Sequence, residues 1–368
     1  METGPTATGP AEIWNPPPLW HAEPGWLNTA SFGLPPQPAW DAMRAAEDDW
    51  RCGRTSWEGW DESTRRARSS FARLVGVDDA DVAVGAQVSQ LLAPVAAAVP
   101  DGATVLVPDI EFTSNVFPWA VHADRGVTVR SAPVDGYLDA IRPGVDVVAF
   151  ALVQSATGAV ADLPAIAAAA REAGALVVVD ATQACGWLPF DAGLADVVAV
   201  GAYKWLMSPR GTGFVYLAPH VRERLRPLAA GWYAGDDPHD SYYGLPLRLA
   251  KDARAFDLSP AWFPWVGTAP ALEVIEEIGV ERIHAHNLRL ANRFVAELGR
   301  ELGHSPRDLG RAPSDSAIVT VDVPDAETKL ARAGIRAAVR AGRVRASFHV
   351  YSTDADVDAA VAALTGRD

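Results

Sequence analysis

The chain has 368 residues, 49% of them apolar, which is long for a single core, so one large domain and a smaller lobe are expected. Its net charge of −14 disfavours a nucleic-acid partner, because phosphate binding wants a basic face. Two cysteines, Cys52 and Cys185, with no CxxC, exclude a disulfide framework, argue against structural zinc and fit a reduced, cytoplasmic setting.

Residues 1–25 are rich in Pro and Gly and read as an irregular arm with a disordered start; they lack the basic and apolar stretches of a signal peptide. No apolar run approaches the roughly 18 residues of a membrane span, so no membrane partner is expected. Residues 26–36 read as a short strand or turn ending in prolines, and 38–52 and 61–75 have helical spacing. A strand follows at 81–85, an apolar helix at 87–99, a strand at 104–108, a helix near 115–123 and a strand at 127–131.

Residues 145–152 are apolar on both faces, as in a central parallel strand. Residues 162–174 form a predicted helix with Asp162 as N-cap and Gly174 as its stop. Strands are expected at 175–180, 197–200 and 213–217, and this alternation predicts an α/β domain with a largely parallel sheet. The aperiodic stretch 231–268, rich in Trp, Tyr, Pro and Asp, reads as a long functional loop. A helical pattern then runs from Pro270 to about Leu302, and the tail, with strands near 316–322 and 343–351 and a helix at 354–364, reads as a smaller α+β lobe.

Two strand ends carry the most informative residues. Strand 175–180 ends in Asp180, and the segment after 197–200 carries Lys204 between Tyr203 and Trp205. An acid and a lysine at neighbouring strand ends suit a pyridoxal 5′-phosphate site, in which the lysine forms a Schiff base and the acid pairs with the pyridinium nitrogen. Lys204 in an apolar, aromatic setting would lose its proton readily; otherwise it is a surface lysine at a strand terminus. Asp180 with Gln183 also reads as a capping box. The turn Gly85–Ala86–Gln87, entering the 87–99 helix, offers a phosphate seat of free amides, although every strand–helix junction has such a turn. Phe112 reads as a ring-stacking platform or a core residue. Arg345 alternates with Arg343 and Ser347 on one strand face and reads as a carboxylate clamp or a solvated residue. GxGxxG is absent, which argues against a dinucleotide site. His284 and His286 stand two apart and show no metal-ligand spacing.

AspAlaThrGln (180–183), TyrLysTrpLeu (203–206) and ProArgGlyThrGly (209–213) occur in the order of one known family. The chain resembles the class V aminotransferases of fold-type I, the group of cysteine desulfurases, kynureninases and isopenicillin N epimerases, over roughly residues 26–360. The resemblance implies pyridoxal 5′-phosphate as cofactor, an amino acid as substrate and a homodimer. It implies Lys204 as the Schiff-base lysine, Asp180 on the pyridinium nitrogen, Gln183 on the ring hydroxyl and Phe112 against the ring. Gly85, Ala86, Gln87 and Tyr203 match the phosphate ligands, Gly267 and Thr268 the segment that reaches the neighbouring subunit's phosphate, and Arg345 the substrate-carboxylate arginine. The loop before 343–351 lacks the desulfurase cysteine, so persulfide chemistry is not expected. Gln154–Ser155 stands where desulfurases often have Ser–Asn. The expected architecture is a large three-layer αβα domain over 26–259 and a smaller lobe over 260–368 packed with the N-terminal arm. The expected activity is that of a lyase, with transamination or epimerisation as alternatives.

Overall fold

A computed structural model describes residues 14–305, 315–340 and 342–366; the disordered start expected within 1–13 lies outside them. In chain order the longer elements are α1 (Gln37–Arg51), α2 (Trp57–Val75), β1 (Val82–Gly85), α3 (Val88–Ala98), β2 (Thr104–Pro108), α4 (Phe117–Ala120), β3 (Thr128–Ala132), α5 (Tyr137–Ala140), β4 (Val147–Ala151), α6 (Leu163–Ala173) and β5 (Leu176–Asp180). There follow β6 (Val197–Gly201), β7 (Gly213–Leu217), α7 (Pro219–Arg222), α8 (Trp262–Ile278), α9 (Val280–Leu302), β8 (Ile318–Val321), α10 (Ala326–Arg332), β9 (Ala338–Arg340), β10 (Arg343–Ser347) and α11 (Asp354–Thr365).

Seven strands form one sheet in the order β1-β7-β6-β5-β4-β2-β3. Pairs from β3 through β6 are parallel; β7 runs antiparallel to both β6 and β1. β4, β6 and β7 are buried at every position, so the sheet is covered on both faces and its central strands are continuous Val/Ala/Phe runs rather than alternating ones. α3 packs on β6 and β7, α6 on β5, and α2 on β1 and β7. This is an α/β fold with a mostly parallel sheet, as the strand–helix alternation implied. The α6 boundaries follow their caps: Asp162 accepts the Ala165 N–H at 3.0 Å, and Gly174 closes the helix at φ 75°.

A second, antiparallel sheet, β8-β10-β9, backs onto α9 and α11 around Leu290, Phe294, Leu298, Phe348 and Val357. The N-terminal segment crosses to it: Trp26 bridges Arg336, Asn28 bridges Ser347, and Leu27 joins the second core.

Two expectations need correction. The helix expected from Pro270 begins at Trp262, because Pro264 falls in the first turn, where its missing N–H costs no intrahelical bond. It is also two helices, divided at Gly279 with φ 90°, a left-handed backbone that favours glycine. α8 contributes Trp265, Leu272 and Ile275 to the first core, so we propose that the two units divide near Gly279 rather than at 260.

Candidate active site

The carboxyl ends of β4, β5 and β6 converge on a cavity of about 410 Å³, large enough for an aromatic cofactor with a small substrate. Ala86, Gln87, Phe112, Asp180, Gln183, Tyr203 and Lys204 all line it.

Lys204 is 7% exposed, which removes the surface-lysine reading. Its Nζ lies 5.6 Å from the ring centroids of both Phe112 and Tyr203. Burial lowers its pKa to about 8, aided by Arg345, Arg340 and Arg210 and opposed by Asp180. Among the described residues no carboxylate comes within ion-pair distance of Nζ, so a substantial fraction of the amine is neutral and nucleophilic near pH 8.

Asp180 is buried where β5 ends. One carboxylate oxygen accepts the Thr182 N–H at 2.9 Å. Burial pushes its pKa up, while Thr182 and Lys204 hold it down. A buried carboxylate of this kind stays ionised best against a cation, which a protonated ring nitrogen provides. The capping-box reading fails, because Gln183 turns its side chain away from the Asp180 backbone. Its Oε1 accepts the Trp205 indole N–H at 2.7 Å, and its Nε2 donates to Ala30 O at 3.0 Å and Ser155 Oγ at 3.1 Å. Both amide hydrogens are engaged, while Oε1 keeps one lone pair open to a ring hydroxyl.

Ser155 lines the cavity beside it. Its Oγ accepts from Gln183 and, at 3.0 Å, from Arg345 NH1. With both lone pairs taken, its own O–H is free to donate into the cavity.

Arg345 sits just behind, on β10, and is 1% exposed, so the solvated-face reading also fails. Its guanidinium donates to Ser155 O at 2.6 Å and to Ser31 Oγ at 2.9 Å, while Nε has no partner. Every partner is neutral, and burial lowers its pKa to about 10. A buried cation with spare donors and no acid is built to receive an anion.

Phe112 is 49% exposed, so it is not a core residue; its ring faces the cavity. At the other end, α3 begins at the Gly85–Gln87 turn, where its first N–H groups lack intrahelical partners. Gly85 itself is buried below this turn; a Cβ there would lie 2.3 Å from Gln90 Oε1. Tyr203 is flanked by Phe32, at 5.4 Å between rings, and by the Arg210 guanidinium, 4.8 Å from its centroid.

Gly267 and Thr268, which the resemblance assigns to the phosphate of a neighbouring subunit, lie apart from this chain's cavity. They are buried inside α8, where a Cβ on Gly267 would strike Met43 and Pro209 and Thr268 Oγ1 donates to Pro264 O at 2.8 Å. Ser155 and Arg210, which line the cavity, and Ser31, Phe32 and Glu111, which support its residues, were not named as site residues. Arg210, inside the motif after Lys204, and Ser155, beside Gln154, carried a local signal.

The residues present fit a phosphorylated pyridine aldehyde: a buried amine of lowered pKa, a carboxylate across from it, a stacking ring and a helix N-terminus share one cavity. The aminotransferase class-V profile matches residues 59–360. An isopenicillin N epimerase of Streptomyces clavuligerus is 30% identical over 82% of this chain and 84% of its own length. The chain belongs to the aminotransferase class-V family. Its cofactor is pyridoxal 5′-phosphate. An uncharacterized aminotransferase, YcbU, of Bacillus subtilis (strain 168) is 28% identical over 85% of this chain and 86% of its own. A cystine C–S lyase, C-DES, solved with its reaction product cysteine persulfide, shares the fold with a TM-score of 0.81 at 20% identity, over 94% of this chain and 98% of that one. Among the described residues no helix is long and apolar enough to cross a membrane.

Proposed function

We propose that this class-V enzyme is a lyase that eliminates the β-substituent of an amino acid, for example by C–S cleavage, and works as a cytoplasmic homodimer. The observation that carries an amino-acid substrate is Arg345, a buried guanidinium held only by neutral partners beside the cavity that contains Lys204.

When bound, pyridoxal phosphate supplies an aldehyde that takes up the substrate amine and a ring that draws electrons from the bond being broken. Asp180 accepts the hydrogen of the ring nitrogen and keeps it protonated. Ser155 would donate its free O–H to the ring oxygen, since both Gln183 amide hydrogens are already engaged. Gln87 and the first amides of α3, with Tyr203 beside them, hold the phosphate. Phe112 stacks on the ring and fixes its plane. Arg345 takes the substrate carboxylate through two N–H groups, which aims the α-hydrogen. Lys204, as a neutral amine, would remove that hydrogen as base. Its pKa of about 8 suits the task near neutrality.

Persulfide chemistry has no nucleophile here. Cys185 is buried, with its thiol pushed up to about 12, and Cys52 follows α1 outside the set of cavity residues. The epimerase relative supports a second reading, return of the proton to the opposite face of the α-carbon, which shares every step through proton removal. Incubation with cysteine S-conjugates separates them. Release of pyruvate and ammonia supports the lyase, whereas solvent deuterium at the α-carbon with loss of optical purity and no pyruvate supports the epimerase.

A further inference from the structure

A second buried carboxylate, which the mechanism above does not use, lies behind Phe112. Glu111 follows β2 in a turn and accepts three N–H groups: Phe112 N at 2.9 Å, Ala151 N at 2.7 Å and Gln154 Nε2 at 3.0 Å. Ala151 is the last residue of β4 and the ladder partner of Asp180 on β5. One carboxylate therefore ties the backbone of the stacking residue to the strand end that faces Asp180.

Three donors and no acceptor around Glu111 favour its ionised form. Burial and then the charge of Asp180 oppose it, raising its pKa to about 7. Among the described residues no Lys or Arg is within ion-pair distance of Glu111. The titratable groups around it are Asp180 on β5 and Tyr137 on α5, whose phenol donates to Leu106 O and Ala149 O, and Lys204 acts in turn on Asp180. The link that geometry gives is through the backbone: Glu111 holds Ala151 N, and Ala151 pairs with Asp180, so a second buried carboxylate with no guanidinium on it stands beside the Asp180 strand end and lowers the cost of a cation there.

We propose that Glu111 is a positioning residue that fixes Phe112 and the end of β4 and, through its charge acting on Asp180, strengthens the hold on a protonated ring nitrogen. This rests on the reading of Asp180 given above. An amide in its place keeps the shape, presents one acceptor instead of two and removes the charge.

The test is a pH titration of the cofactor's visible absorbance in the holoenzymes of wild type, Glu111→Gln, Glu111→Asp and Asp180→Asn. Pyridoxal phosphate binding to each stripped protein is measured by fluorescence alongside. Loss of a nearby negative charge disfavours protonated forms, so Glu111→Gln should lower the titration midpoint by about half a pH unit or more and weaken cofactor binding about three- to tenfold. Glu111→Asp, which keeps the charge, should hold the midpoint near wild type. A folded Glu111→Gln protein with wild-type midpoint and affinity overturns the proposal. Should Glu111→Gln not fold, a Glu111→Asp midpoint displaced by half a unit overturns it and an undisplaced one with weaker binding upholds it. If Asp180→Asn itself leaves the titration unmoved, the reading of Asp180 falls; if it moves the midpoint and Glu111→Gln does not, only the role of Glu111 falls.

Discussion

Arg68 and Arg345 are both buried arginines, and their surroundings differ in one respect. Arg68 on α2 meets Asp257 through NH2 at 2.6 Å, and Asp257 also accepts the Val84 N–H at 2.8 Å; the carboxylate raises the pKa of the guanidinium against desolvation. Arg345 on β10 meets two serines and a carbonyl, and its pKa falls. The first is complete without a ligand and pins the edge strand β1 to the helix layer. The second is left short of an anion, behind the Ser155 wall of a cavity. The same residue type thus serves structure where its charge is matched within the chain and binding where it is not.

Removing either guanidinium should separate these roles. Arg68→Leu strands Asp257 as a buried, unpaired charge and should cost about 3–5 kcal/mol of stability, read by urea unfolding, with little change in the KM of the remaining folded enzyme. Arg345→Leu should do the reverse. The unfolding midpoint should stay or rise, while kcat/KM for an amino acid falls about ten- to a hundredfold, the worth of charged hydrogen bonds of about 1.5–3 kcal/mol. A large stability loss in Arg345→Leu would erase the contrast.

Smaller effects sharpen it. The Lys204 amine is neutral above its pKa of about 8, so cofactor uptake by the stripped protein should speed up about fivefold from pH 7 to pH 8 and level off beyond pH 9. A stopped-flow absorbance series checks this, and a flat profile would mean that the protonated lysine is not what limits uptake. Ser31→Ala removes one neutral support of Arg345 and should raise KM about three- to tenfold with kcat nearly unchanged, the range of a hydrogen bond of about 0.5–1.5 kcal/mol.

The half of the site on β5 and β6 was legible from sequence because its signals are local. A carboxylate closing an apolar run and a lysine between aromatics stand within 25 residues of each other, and the strands end where the runs end. Arg345 itself was legible by alternation and resemblance, but its partners were not. Ser31 lies 314 residues from Arg345 and Ser155 lies 190 away, and no spacing rule links them. Gly33 shows the same limit. Its amide donates to Tyr203 O at 3.0 Å, and a Cβ there would lie 1.9 Å from Lys204 O, a contact that only the folded chain reveals. Gly267 and Thr268 show it from the other side: the helix pattern read from Pro270 hid that α8 begins eight residues earlier and takes both into its buried face. α10 and β9, of seven and three residues, are too short for a period to show.

The central claim is β-elimination from an amino acid held on Arg345. Its most direct test is to supply wild-type holoenzyme and Arg345→Leu with cysteine S-conjugates and no keto acid, and to assay pyruvate, ammonia and the cofactor spectrum together. The account predicts equimolar pyruvate and ammonia over many turnovers from wild type, an unchanged resting spectrum at the end, and rates lower by about ten- to a hundredfold in the variant. A single turnover that leaves a pyridoxamine-type spectrum, reversed only by adding a keto acid, would contradict it and make the protein an aminotransferase.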